Sequence, residues 1–274
     1  MSRRPQLWLK ILAKTFPLSG GIVKATGWPV IGTVVKRLVV PLLSGKNFNI
    51  TYIPINRQIS GDRSSYLPSI ILEKLIRESS HRAIIARCTC RDGNRCENHP
   101  VELACVMLGD GAAEIDPAVC RHTSVEETIA HARACVENGL IPFAGRFKPD
   151  NFLWGVKDRG RLLTICFCCS CCCTIMNNRK FMTPEMESSI VKLRGLVMTA
   201  DLKQCTRCGD CARECFSGAI KITDEGAVID PGKCRGCGRC ASLCPENAVI
   251  ASIESVDEAV MELTGRISRI INYR

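Results

Sequence analysis

Two stretches, "CTRCGDCARECFSGAIKIT" and "CRGCGRCASLCPENAVIAS", align with a period of 29 residues, from Cys205 to Cys234. Each reads C-x2-C-x2-C-x3-C, and the second ends in Cys244-Pro245. Such a duplication is one supersecondary unit used twice. Three cysteines spaced two residues apart wrap a loop around one cubane, and the fourth, further along the following helix, is left for the other cluster. Disulfides are a poor use of this spacing, because neighbouring sulfurs in CxxC, CxC and CC cannot easily bridge each other. The chain has 20 cysteines in 274 residues, which suits a metal protein of a reducing, anaerobic compartment better than a secreted disulfide scaffold. Zinc-knuckle-like sites without redox function are the competing use of the repeats.

Residues 196 to 255 resemble the bacterial two-cluster ferredoxin module. The resemblance implies that one [4Fe-4S] cluster takes Cys205, Cys208, Cys211 and Cys244, and the other Cys215, Cys234, Cys237 and Cys240. All eight ligands are present, which favours two [4Fe-4S] clusters over a three-iron centre. Gly209, Gly236 and Gly238 leave room for the backbone to approach the sulfides and offer them N–H groups. One departure is Phe216, where proline usually follows the fourth cysteine.

Twelve further cysteines precede this module. Cys88, Cys90, Cys96 and Cys105 lie in "CTCRDGNRCENHPVELACVMLG", and Cys166, Cys168, Cys169, Cys171, Cys172 and Cys173 in "CFCCSCCC". These ten thiols exceed what one cubane or one zinc ion needs, so two cubanes or one larger non-cubane cluster uses them better. In an extended strand Cys166 and Cys168 face one way and Cys169 the other. The strand can then feed two centres, or a turn at Ser170 can fold the second triplet back onto the first. Cys120 and Cys135 stand alone and fit buried small apolar positions. His99 is the one histidine placed to substitute for a ligand, against surface or capping use.

The motifs "CxCR", "ELxC", "GLIPF" and "ICFCCxCCC", followed by the ferredoxin pair, resemble a family of iron-sulfur proteins of anaerobes, the 4Fe-4S dicluster proteins, through most of residues 65 to 255. That resemblance implies a fused architecture and an electron-transfer context; it supplies no substrate. The vicinal Cys-Cys pairs are similar to those that hold the non-cubane clusters of the heterodisulfide reductase catalytic subunit, whose full motif is absent here.

Charge is concentrated at the start. Residues 1–61 hold nine basic residues (Arg3, Arg4, Lys10, Lys14, Lys24, Lys36, Arg37, Lys46, Arg57) and no acidic one, while the remainder holds 28 basic and 27 acidic residues. On a helical wheel Arg3, Lys10 and Lys14 form a narrow stripe, and Leu7, Trp8, Leu9, Ile11, Leu12 and Phe16 fill the rest. Lys24, Lys36, Arg37, Pro29 and Pro41 interrupt the apolar run, so a spanning helix is not expected. Residues 1–46 can instead lie on an anionic membrane surface, or dock on a partner subunit or on the chain's own core. "SRRPQLWLK" is similar to a twin-arginine signal, but Lys14 breaks its apolar region and no A-x-A site follows, so export is not expected.

Apolar periodicity predicts a strand in "NITYIPIN", a helix in "LPSIILEKLIRESS", a strand in "RAIIA", and a helix in "SVEETIAHARACVENGL" capped by Ser124 and Glu127 and stopped at Gly139. "RLLTICFCC" predicts a strand, and a final helix places Val256, Val260, Leu263 and Ile267 on one face. The expected fold class is α+β: a basic amphipathic segment (1–61), a cysteine-rich α/β domain (62–190), a ferredoxin-like (βαβ)2 module (191–255) and a C-terminal helix (256–274).

The expected function is electron transfer at low potential between the two ferredoxin clusters and a further Fe-S centre in the first half. The setting is cytoplasmic, peripheral on the inner face of the membrane, with a redox partner protein. Two alternatives stay open: a reductase whose amino-terminal centre binds a small substrate such as a disulfide, and an iron-sulfur or metal delivery protein. No nucleotide cofactor is expected, since no G-x-G-x-x-G or Walker loop is recognisable. Nucleic acid is not expected either, because the basic residues alternate with aliphatic ones.

Overall fold

The computed structural model of the chain describes residues 4–29, 32–55, 59–60 and 67–274. Arg3 of the basic stripe, Arg57 and the boundary expected at 61/62 lie outside the described residues.

In the first half, strands β1 (Phe48–Tyr52), β3 (Arg82–Ile85), β4 (Val106–Leu108), β5 (Cys120–His122), β6 (Ile141–Phe147) and β7 (Leu163–Cys168) form one sheet in the order β1-β6-β7-β4-β3-β5. The short β2 (Ile59–Ser60) joins another sheet, described below. Every pairing in the six-stranded sheet is antiparallel. The region expected as α/β is thus an antiparallel sheet with helices added to it. The chain order of strands and helices does not by itself specify parallel crossovers.

Alternation along the strands separates two apolar faces. Ile84, Val106, Leu108, Leu163 and Ile165 belong to the larger core, with the buried Ile71, Leu75 and Ile76 of helix α4 (Leu67–Glu78). Ala83, Ile85 and Met107 point the other way, into a second core with Leu12 and Trp154. Covered on both sides, the central strands read as nearly continuous apolar runs.

Helix α6 (Val125–Glu137) begins with the expected capping box: Glu127 N–H donates to Ser124 Oγ at 3.2 Å and Ser124 N–H to Glu127 Oε2 at 2.9 Å. Its end passes through Gly139 at φ +81°, a left-handed conformation that favours glycine.

The second half runs β8 (Leu196–Ala200), α10 (Asp210–Arg213), β9 (Ile220–Thr223), β10 (Gly226–Ile229), α11 (Arg239–Leu243) and β11 (Val249–Ile253). β8 and β11 pair antiparallel, β2 lies parallel beside β11, and β9 and β10 form a hairpin. The last helix, α12 (Val256–Ser268), buries Val260, Leu263 and Ile267 and packs on α4. Its Arg266 also donates to Thr51 Oγ1 at 2.6 Å.

No packing boundary falls at 190/191. Val191 N–H donates to Ile50 O at 2.9 Å, and one core contains Ile50, Ile165, Leu196, Met198, Val249 and Leu263.

Candidate metal and redox centres

In the duplicated unit the two repeats exchange their last cysteines. Cys205, Cys208, Cys211 and Cys244 line one small pocket. Burial raises the thiols of Cys237 and Cys240, Cys237 to about 12, and their neighbouring thiols are Cys215 and Cys234.

Local geometry repeats with them. Ala219 N–H points to Cys215 Sγ at 3.4 Å, and Ala248 N–H to Cys244 Sγ at 3.2 Å. Gly209 and Gly238 sit at φ +82° and +76°, and Gly236 at +69° has its counterpart in Arg207 at +61°. Backbone N–H groups aimed at sulfur stabilise thiolates, and the open turns leave space beside them, so this donor set fits an iron-sulfur cubane.

Residues 204–248 match the family model of the 4Fe-4S dicluster domain. No curated protein matches the chain. An iron-sulfur dicluster domain points to electron transfer.

Outside the dicluster domain the ten remaining candidate thiols divide into two groups. In the first, the Sγ atoms of Cys96, Cys169, Cys171 and Cys172 all lie within 4.8 Å of one another, with Cys96 and Cys171 3.7 Å apart. The turn at Ser170–Cys172 gathers three of them, and Cys96 comes from the loop after helix α5 (Thr89–Gly93).

The second group holds Cys88, Cys90, Cys105, Cys166, Cys168 and Cys173, which line a cavity of about 670 Å³ together with Cys169 of the first group. Cys105 and Cys166 are 3.1 Å apart, as are Cys168 and Cys173. Cys166 and Cys168 face the same way on β7, as their spacing predicts, and the turn brings Cys173 back to Cys168. Hydrogen bonding from Cys90 and the positive charge of Arg91 bring Cys88 down to about 6 against its burial. The same pairing, together with burial, pushes Cys90 up.

Arg91, the arginine of "CxCR", is the residue whose role the spacing did not disclose. Its side chain is 0% exposed. It donates to Pro100 O and Phe167 O at 2.9 Å each and also to Leu103 O. No carboxylate pairs with it among these contacts; Cys88, Cys105 and Cys169 surround it and, against the cost of burial, hold its pKa up. A buried cation beside clustered thiols suits an anionic centre.

His99 Nδ1 pairs with the side-chain oxygen Oδ1 of Asn138, the C-cap residue of α6, at 2.7 Å on the surface. Cys120 and Cys135 are buried, and burial pushes Cys120 up to about 12.

The six-thiol group and the dicluster domain meet at Tyr52. Tyr52, Phe143 and Cys166 are consecutive cross-strand partners on β1, β6 and β7. The phenol is fully buried, its hydroxyl has no hydrogen-bond partner, and Cys173, Cys168, Cys237 and Cys166 are the charges that bear on it. Ile55 N–H donates to Cys237 O at 3.2 Å on the same path.

Helices α1 (Gln6–Thr15), α2 (Ser19–Ala25) and α3 (Gly32–Val39) cover the mouth of the cavity. α1 docks on the body, with Leu12 buried and Trp8 Nε1 donating to Leu153 O at 2.6 Å. Apolar side chains still face outward, among them Leu18 (70% exposed), Ile22 (54%) and Leu42 (48%), which also line the cavity. Among the described residues no helix is long and apolar enough to cross a membrane.

Proposed function

We propose that the chain is an iron-sulfur electron-transfer protein in which the dicluster domain exchanges electrons with a further Fe-S centre on the six-thiol group. In this proposal Cys205, Cys208, Cys211 and Cys244 hold one [4Fe-4S] cluster, and Cys215, Cys234, Cys237 and Cys240 the other. When bound, such clusters store and pass single electrons. The chain's own residues supply thiolate ligands, N–H groups to sulfur, the Arg91 counter-charge and exclusion of water. The observation that carries the proposal is Tyr52, a fully buried phenol whose ring packs on Phe143 of the first half and on Phe216, next to Cys215 of the dicluster domain.

A reductive EPR titration of the anaerobic full chain tests this. The expected result is a signal beyond those of the dicluster domain that disappears in Cys105→Ser. Identical spectra for wild type and variant contradict it.

The outward apolar residues of α1–α3, interleaved with Lys10, Lys14, Lys24, Lys36 and Arg37, support docking of this face on an anionic membrane, with a redox partner protein at the inner surface. Part of the segment is meanwhile docked on the chain's own body, the other use expected of it.

The cavity favours a second function, a reductase. Trp8, Phe16, Ile22, Phe143 and Phe147 line it together with the thiols, which suits an apolar substrate rather than a charged disulfide. A perturbation of the additional EPR signal by a short-chain quinone, but not by a charged disulfide, is the expected outcome of that chemistry. No perturbation by either rejects it.

A further inference from the structure

We propose that Cys96, Cys169, Cys171 and Cys172 form a mononuclear tetrahedral metal site, separate from every iron-sulfur cluster, that takes one Zn2+ or Fe2+ ion. The size of the thiol group matches one ion. Metal–sulfur bonds of about 2.3 Å in a tetrahedron set Sγ–Sγ edges of about 3.8 Å. The Cys96–Cys171 separation is 3.7 Å, and all four sulfurs fall within 4.8 Å of one another. A cubane places four irons between its thiolates and spreads them further. The protein contains its own control: among the described residues no other three cysteines close within 4.8 Å, including those of the dicluster domain.

The surroundings fit a closed tetrathiolate. Asn177 Nδ2 donates to Cys171 O at 3.1 Å, which holds the turn that carries three of the four thiols. Four thiolates around a divalent ion keep a net negative charge, and the Arg91 guanidinium stands beside Cys169. Cys169 and Cys172 are buried and Cys171 is exposed, so the ion has a path in from solvent.

The position assigns the ion a structural task. Cys96 closes the loop that carries Cys88, Cys90 and Arg91, while Cys169, Cys171 and Cys172 form the turn between Cys168 and Cys173. Asn94 Nδ2 already ties these segments by donating to Cys172 O at 3.2 Å. The ion would staple together the two loops that supply most of the six-thiol group, with all four positions filled by protein and none open to substrate.

The test is metal and acid-labile sulfide analysis of the anaerobically purified full chain and of Cys171→Ser and Cys96→Ser. The expected result is loss of about one equivalent of zinc, or of iron, in each variant, with acid-labile sulfide and the dicluster EPR signals unchanged. Which metal is lost distinguishes the two occupants. Growth with cobalt supplies a second arm, in which wild type should show the intense visible bands of a tetrahedral Co(II) tetrathiolate and Cys171→Ser should not. Loss of iron and sulfide together in equal amounts means a cluster and overturns the proposal, as does identical metal content in all three proteins. The dicluster signals report on the electron-transfer proposal independently of either outcome.

Discussion

The ring of Tyr52 lies 5.1 Å, centroid to centroid, from that of Phe216. Phe216 follows Cys215 at the position where the second repeat has Pro245 after Cys244. The asymmetry between the repeats is thereby explained by the first half: one repeat faces solvent-exposed chain at this point, with Glu246 and Asn247 exposed, and the other must pack against a buried tyrosine.

Tyr52→Phe keeps both ring contacts and removes a buried hydroxyl that has no partner. Its anaerobic unfolding midpoint in denaturant should equal or exceed that of wild type. Tyr52→Ala removes the rings' contact and should cost about 3–5 kcal/mol. A large loss in Tyr52→Phe would mean that the hydroxyl has a partner in solution.

Arg91→Met leaves three carbonyls without their donor and the thiols without their cation. The expected cost is about 3–5 kcal/mol, with loss of iron from the first half. Arg91→Lys should behave almost as badly, because one ammonium cannot reproduce a planar guanidinium that reaches three separate acceptors. Iron content and denaturant unfolding of the two variants check this.

How far these features could be read in advance differs between elements. The capping box of Ser124 and Glu127 and the buried stripe Val260, Leu263 and Ile267 follow from local periodicity, and both are present. The 29-residue repeat led to the dicluster domain, and Cys244 of the second repeat lies beside Cys205, Cys208 and Cys211 of the first. The partition of the other ten thiols was not legible, because spacing along the chain does not say that Cys96 meets the Ser170 turn while Cys105 meets Cys166. Those meetings depend on the antiparallel register of β4 against β7, a long-range pairing. Arg91 was visible as part of "CxCR", but its burial depends on carbonyls of residues as far away as Phe167.

Burial pushes the Asp150 carboxyl up to about 7, although Thr164 Oγ1 donates to it at 2.7 Å. Below the unfolded pKa of about 3.9 both states are protonated and the group contributes nothing. As pH rises from there to about 7 the unfolded chain ionises first, so stability falls, by a total on the order of 4 kcal/mol. Asp150→Asn should match wild type at pH 4 and be more stable at pH 8, as measured by denaturant midpoints. A pH-independent difference would reject this assignment.

Lys10 and Lys14 are exposed on α1. In sedimentation with anionic vesicles, Lys10→Gln and Lys14→Gln should each weaken binding by about 1 kcal/mol, about fivefold in partitioning. Added salt should shrink the difference. Equal binding of wild type and a double variant would place the membrane contact elsewhere or remove it.

The central claim is a redox centre on Cys88, Cys90, Cys105, Cys166, Cys168 and Cys173, and the most direct measurement is iron and acid-labile sulfide per chain in anaerobic wild type and in a Cys105→Ser, Cys166→Ser double variant. Wild type should exceed the roughly eight irons of two cubanes, and the variant should lose both iron and sulfide while keeping the dicluster EPR signals. About eight irons in both proteins would contradict the claim.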